Sequence, residues 1–399
     1  MLKSMLCALL LCAFSAHAET KYLFNGDAYV RSYFKNSTGQ RGSQAFNQFF
    51  RLNTQIKPDE NLTLKVGAVL ASDTWEGDNH KGITTGTTAT GGTAIGGTND
   101  DGFGNGNVTH LDHAVIEYTK NNYVAAVGRI SVTTPGGFVT ADDRRDRILV
   151  AKFFENYDML AFAYDKRAEG SVTNKYDDVD MWTLNYYGNI NTYKYALQTA
   201  YWKSKRYSNT TSAFNSANLD NIKQLSPHFM GNVAGLDLSA YYTLLFGGKA
   251  LYTNDHHAAA VKIAKDLEFL KVELQTMWSK DGGLIAGGFD SLSSIVNNSP
   301  DHNQSSIKLR TIGFGLGAKK ADETLHMVRL SKVFAEDLTF TLGGGYGRFY
   351  NAGVIEDNTL VDSTAKYAVS NNLSLDLNYG RFFGDFKDHA GSLTVKAKF

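Results

Sequence analysis

The chain has 399 residues with 40 Lys plus Arg against 40 Asp plus Glu, a balance that lacks the positive excess of a nucleic-acid binder. It holds 21 Tyr, 24 Phe and 38 Gly but only 4 Pro and 2 Cys, which suits many hydrogen-bonded strands and excludes a disulfide-stapled scaffold or a thiolate metal centre. After the first 18 residues no run reaches the roughly 18 consecutive apolar residues of a spanning helix.

The opening MLKSMLCALLLCAFSAHA joins Lys3 to an apolar run from Met5 to Phe14 and ends on the small residues Ala16 and Ala18. That order predicts a secretory signal peptide over 1–18, cleaved after Ala18, ahead of a single domain over 19–399. Leucines precede Cys7 and Cys12 where a lipoprotein cleavage box needs a small residue, so both cysteines leave with the signal. Loss of Lys3 leaves 39 basic against 40 acidic residues, a formal charge of −1.

From there period two governs the apolar residues. In FNQFFRLNTQIK one face reads Phe46, Gln48, Phe50, Leu52, Thr54, Ile56 and the other Asn47, Phe49, Arg51, Asn53, Gln55, Lys57. LTLKVGAVL, FLKVELQTMW and LSLDLNY alternate in the same way. A soluble sandwich also alternates, but its strands run about five or six residues, whereas a membrane-spanning strand needs roughly 9–11. Here alternation continues beyond sandwich length in several segments. The reading predicts strands over 22–34, 45–57, 61–72, 109–119, 122–131, 147–154, 158–167, 179–188, 192–203, 226–233, 235–246, 256–264, 268–279, 323–334, 338–350, 363–370, 373–384 and 389–399. Pro58, Pro135, Pro227 and Pro300 are all expected in turns or loops. IKLRTIGFGLG, within 284–321, reads either as a strand or as a loop hairpin, and sixteen strands are the alternative count.

Connections alternate between very short ones, such as PDEN at 58–61, KNN at 120–122, AED at 335–337 and NN at 371–372, and long ones. The longest spans about 73–108 and is low-complexity Gly/Thr. Short turns at one end and long loops at the other make the fold class all-β: a transmembrane antiparallel β-barrel of eighteen strands with short periplasmic turns and long extracellular loops. Closure follows because lipid offers no partner to an open sheet edge. Tyr22, Phe24, Tyr118, Tyr123, Trp182, Tyr186, Tyr187, Tyr193, Tyr195, Tyr201, Trp202 and Trp278 gather near predicted strand ends, where interfacial girdles form.

The stretch TTPGGFVTADDRRDRI, 133–148, crowds three aspartates and three arginines into positions 142–147 between predicted strands five and six. The last strand, LTVKAKF, ends on Phe399. With the signal, the alternation and this terminal phenylalanine, the chain resembles the Gram-negative outer-membrane porins, either the general-diffusion type or the eighteen-stranded substrate-selective type. The resemblance implies an outer-membrane location among lipid and lipopolysaccharide, a homotrimer, and recognition of Phe399 by the barrel-assembly machinery. It also implies that the third loop folds into the barrel, which gives Asp142, Asp143, Arg144, Arg145, Asp146 and Arg147 a role at the pore constriction. Arg31, Arg51, Lys65 and Arg129 are the candidate wall partners. In YVAAVGRIS the reading puts Val124, Ala126, Gly128 and Ile130 outside, with Val127 and Arg129 inside.

The function expected is passive diffusion of small hydrophilic solutes and ions, in which fixed charges at the narrowest point discriminate by diameter and field. Local Asp–Arg pairing that merely fixes the loop is the plainer account of the charged stretch. A substrate-selective channel for carboxylates or sugars is the first rival, and an outer-membrane enzyme barrel the second. Catalysis would rest on Asp301-His302, which reads as loop, and no enzyme is expected. No cofactor and no metal are expected either; His256 and His257 are adjacent on a strand and point to opposite faces.

Overall fold

The computed structural model describes residues 20–37, 42–74, 84–85, 108–168, 179–204, 221–247, 255–280, 283–297, 307–313, 322–351 and 353–399. The segment 1–18 expected to be a signal peptide, most of the Gly/Thr-rich connection, and Asp301 with His302 lie outside the described residues. The strands in chain order are β1 (Lys21–Asn36), β2 (Ser43–Lys57), β3 (Leu62–Thr74), β4 (Thr84–Thr85), β5 (Val108–Lys120), β6 (Tyr123–Val132), β7 (Asp143–Phe153), β8 (Met159–Ala168), β9 (Val179–Ile190) and β10 (Tyr193–Ser204). They continue as β11 (Ile222–Val233), β12 (Leu236–Gly247), β13 (His256–Leu267), β14 (Leu270–Lys280), β15 (Glu323–Phe334), β16 (Leu338–Asn351), β17 (Val354–Ser370), β18 (Leu373–Gly384) and β19 (His389–Lys398).

Each wall strand pairs antiparallel with its sequence neighbours, and β19 returns to β1 in a register running from Asp27 opposite Lys398 to Asn36 opposite His389. Among the described residues eighteen strands thus close a barrel, and the two-residue β4 pairs in parallel with β5 apart from that wall. Closure leaves no unpaired edge. The short connections gather at one end. Asn121 and Asn122 both take positive φ (49° and 66°), the mirror-image turn that matches strand twist, and asparagine tolerates it better than a branched residue. The start of the first wall strand and the end of the last lie there too, since Lys21 pairs with Lys57 and the Phe399 backbone exchanges hydrogen bonds with Gly26 (2.7 and 3.1 Å).

Every predicted strand has its counterpart, with shifted bounds. β7 begins at Asp143, so Asp143–Arg147 are wall residues and not a loop; opposite charges on adjacent strands make a strand of a segment whose polarity reads as a loop. β17 starts at Val354 and β11 at Ile222, where Pro227, expected in a turn, sits inside the strand. The β11–β12 ladder skips Ser226 and Pro227, which is where a residue without an N–H is tolerated. The described part of IKLRTIGFGLG, residues 307–313, is no wall strand: Val296 and Arg310 form an isolated parallel bridge inside a loop.

Register fixes the faces. Ile116, Val127, Ile148, Tyr164, Trp182 and Tyr201 stand in one row on the outside, with Val127 46% and Ile148 54% exposed. Bare apolar surface running around a barrel of this height is stable in lipid and costly in water. Ala126, by contrast, is 5% exposed, so the predicted parity of β6 is reversed: Val127 and Arg129 face out. The reason is local, because YVAAVG is apolar at both parities and period two carries no direction there.

The core lies within the barrel. The β14–β15 loop brings Ile285, Phe289, Leu292, Ile295, Val296, Ile307 and Ile312 against inward side chains of β1 and β12–β19, among them Tyr33, Tyr241, Met277, Met327, Phe349, Leu360 and Phe382. β16 accommodates it through GGGYG, whose Gly343, Gly345 and Gly347 all face inward; an added Cβ at Gly343 would lie 2.5 Å from Asp362 Oδ1 and 3.3 Å from Leu292 O.

Candidate functional site

The lumen has two unlike sides. Where the β14–β15 loop fills it, polar anchors hold the loop to the wall. Asp290 receives both terminal nitrogens of Arg329 (3.0 and 3.1 Å), whose Nε reaches Glu273 at 2.6 Å. Asp362 accepts from Ser293 Oγ (2.6 Å) and Ser294 N (2.9 Å), and Glu323 accepts from Gly313 N and Tyr350 N (2.9 and 3.0 Å). Arg310 lies over the Phe386 ring at 3.9 Å and reaches Asp388 at 2.9 Å. A loop pinned at so many points is a fixed part of the wall.

The other side, β1–β3 and β5–β8, is charged. Arg31 faces inward between the rings of Tyr29 and Tyr33 (5.5 and 5.6 Å) and donates from Nε to Asn47 (3.1 Å). Arg51 bridges Asp27 (2.8 Å) and Asp112 (3.2 Å), and Lys65 meets Glu117 at 2.9 Å. Three of the four wall candidates therefore share the inner face. Arg129 does not: it is the register partner of Asp146 and bonds it at 3.0 Å on the outer face.

The charged stretch divides by position. Asp142 sits in the loop with φ 49° and, with the buried Asp112, holds Arg144, whose Nε lies 2.8 Å from Asp112. Arg145 and Arg147 converge on the buried Asp165, a direct register partner of Arg147; Arg145 also bonds Asp143 (2.9 Å), which Arg167 shares at 2.9 Å. Three guanidiniums thus share two carboxylates on the inner wall, which leaves that group one positive charge in excess. Asp146 is turned away from it.

What the third loop does send inward is apolar. Its tip, Pro135–Gly137, is a 3-10 turn, and Phe138, Val139 and Thr140 behind it are buried. Phe138 packs on Tyr241 and Phe289 with ring centroids 5.3 and 5.1 Å away. Sequence reasoning passed over it beside the louder charges. The β14–β15 loop carried a readable signal, because Leu284, Ile285, Phe289, Leu292, Ile295 and Val296 are too apolar for a loop standing in water. Of the predicted girdle, Tyr22, Phe24, Tyr118 and Tyr123 are exposed, whereas Trp202 faces inward against Met181, Ile222 and Leu245. His256 is buried, while His257 bonds Tyr242 on the opposite face. Among the described residues no group of side chains is arranged to hold a metal.

No protein-family model matches the chain, and no curated protein matches it in sequence. Solved structures do. OpdO of Pseudomonas aeruginosa superposes with a TM-score of 0.63 at 11% identity over 95% of this chain and 97% of its own. OccAB3 of Acinetobacter baumannii gives 0.60 at 12% over 94% and 99%. OpdK of Pseudomonas aeruginosa, solved with vanillate, gives 0.58 at 13% over 94% and 98%. The chain has the fold of these eighteen-stranded outer-membrane channels over nearly its whole length.

Proposed function

We propose that the protein is an outer-membrane porin, a water-filled channel for passive diffusion of small hydrophilic solutes and ions. One observation carries the reading: the closed sheet is apolar and bare outside, while paired and excess charges line the inner wall that the β14–β15 loop leaves uncovered. The outside meets lipid and lipopolysaccharide, and association into trimers goes with the family resemblance. Phe399 is the residue presented to the barrel-assembly machinery. No catalytic role is assigned to any side chain. The experiment is single-channel conductance of purified protein in a planar bilayer, with reversal potential under a salt gradient. Steps in groups of three support trimers, and an absence of conductance sinks the porin reading.

A second reading, selective passage of carboxylates, is favoured by the excess positive charge at Arg145, Arg147 and Arg167 and by the vanillate, an aromatic carboxylate, held by OpdK. In this reading Arg31, Arg51 and Lys65 extend the same inner wall. Liposome swelling compares the two: faster entry of benzoate-sized carboxylates than of neutral sugars of equal size supports selectivity, and equal rates leave general diffusion. For the constriction residues, Asp142→Asn with Asp143→Asn and Asp146→Asn is expected to move ion preference toward anions. Asp143 carries that shift, because Asp146 lies outside; an unchanged reversal potential means the acids serve only their arginine partners.

A further inference from the structure

Two loops from distant parts of the chain meet inside the barrel at one side chain. Phe138 is fully buried, stacked on Tyr241 of β12 (5.3 Å, 24°) and edge-on to both Phe289 of the β14–β15 loop (5.1 Å, 79°) and His228 of β11 (6.2 Å, 78°). Its carbonyl accepts the amide of Ala286 at 2.7 Å, so backbone and ring both grip the same short stretch of the other loop. The presenting turn is rigid by itself. Thr134 Oγ1 accepts from Val139 N (3.1 Å) and Thr140 N (3.0 Å), and Gly136 takes φ 62° so close to β12 that an added Cβ would lie 2.3 Å from the Tyr241 hydroxyl.

We propose that Phe138 is a positioning residue for permeation, a latch that joins the β6–β7 and β14–β15 loops into one constriction and so sets the width of the channel. The inference deepens the porin reading and rests on it. Plain core packing is the simpler account of a buried phenylalanine. It is less economical here because the hydrogen bonds and ion pairs that hold the β14–β15 loop to β14, β15 and β17 act at Asp290, Ser293, Ser294 and Gly313, all downstream of the segment Ala286–Phe289 that Phe138 grips. Without the latch that upstream segment keeps the Ile285–Gly313 hydrogen bond (2.8 Å) and the contact of Phe289 with Tyr241 (5.5 Å) but loses its link to the β6–β7 loop. The β6–β7 loop, closed on itself by Thr133 and Thr134 and held to the wall by Ser131 at Asp142 and by Arg145 at Thr140 (2.8 Å), stays where it is.

Phe138→Ala tests this, with heat-modifiable migration on gels as the check that the barrel is folded. The latch predicts faster amide exchange at Ala286 and Phe289, a rise in single-channel conductance and added current noise. Phe138→Leu, which refills the space, returns all three toward wild type. Gly136→Val, which drives the turn off Tyr241, moves them in the same direction as Phe138→Ala. Unchanged exchange and conductance in a folded Phe138→Ala barrel overturn the proposal. If wild-type protein passes no current, the porin reading fails, and the exchange rates at Ala286 still decide whether the latch exists.

Discussion

Arg147 and Asp165 are direct partners across β7 and β8, and the carboxylate is fully buried. Arg147→Ala leaves the buried Asp165 only Arg145 at 3.2 Å, so the loss is expected to fall toward the lower end of the about 3–5 kcal/mol of a broken buried pair. Arg129→Ala breaks an exposed pair on the outside, for which roughly 0–1 kcal/mol is the ordinary range. Unfolding in denaturant, read by heat-modifiability, ranks the two; equal losses would mean that Asp165 finds another cation. In the turn Phe154–Asp158, the Asp158 carboxylate accepts from the Tyr186 hydroxyl and from Asn189 N (2.9 Å), and these donors hold its pKa below the usual aspartate range. A depressed pKa contributes stability above the unfolded value that is lost as pH falls through the folded one. Wild type is therefore expected to melt above Asp158→Asn near neutral pH, and the gap is expected to close below about pH 4. A gap that persists in acid would contradict it. At this scale the sequence was least legible: which of two adjacent side chains faces water depends on register with a partner strand far along the chain, and a valine–alanine run such as 124–127 leaves parity open.

Elements were far easier to read, because each wall strand alternates over a length that no other element shares. Loops were harder. The charged stretch behind the PGG turn looked like a constriction, yet most of it became strand, since Asp143, Arg145 and Arg147 find partners in Asp165 and Arg167 on β8. What packs inside the barrel beside the tip of the β6–β7 loop is the longer β14–β15 connection, whose apolar composition is legible but which has no period to mark it as wall. Its seat on β16 gives an element-scale prediction. Gly343→Val puts a branched side chain where a Cβ alone would already press on Asp362 and the Leu292 carbonyl. Overpacking of this kind costs about 1–3 kcal/mol, and the β14–β15 loop is the part free to yield. Protease cleavage within that loop should accelerate while the barrel keeps its folded migration; loss of folded migration would place the glycines in the wall's own stability.

For the whole molecule, closure rests on the pairing of the first and last wall strands. Gly26 meets the ring of Phe399, an added Cβ there would lie 2.4 Å from it, and the same ring stacks on Phe50 at 5.4 Å. Gly26→Val is expected to slow or abolish formation of the heat-modifiable barrel in detergent, and folding at the wild-type rate would show that the terminal ring can be seated elsewhere. The interior core has a different dependence on closure. It joins Tyr33 of β1 to Ala390 of β19 through the β14–β15 loop, so its parts stand opposite one another after the first and last strands have met. Docking of the loop is then expected to come late, which would give a newly inserted barrel an interval with its bore unobstructed. Freshly inserted molecules should start at high conductance and decay to a steady value, a clock for the last step of assembly that runs inside an already sealed wall.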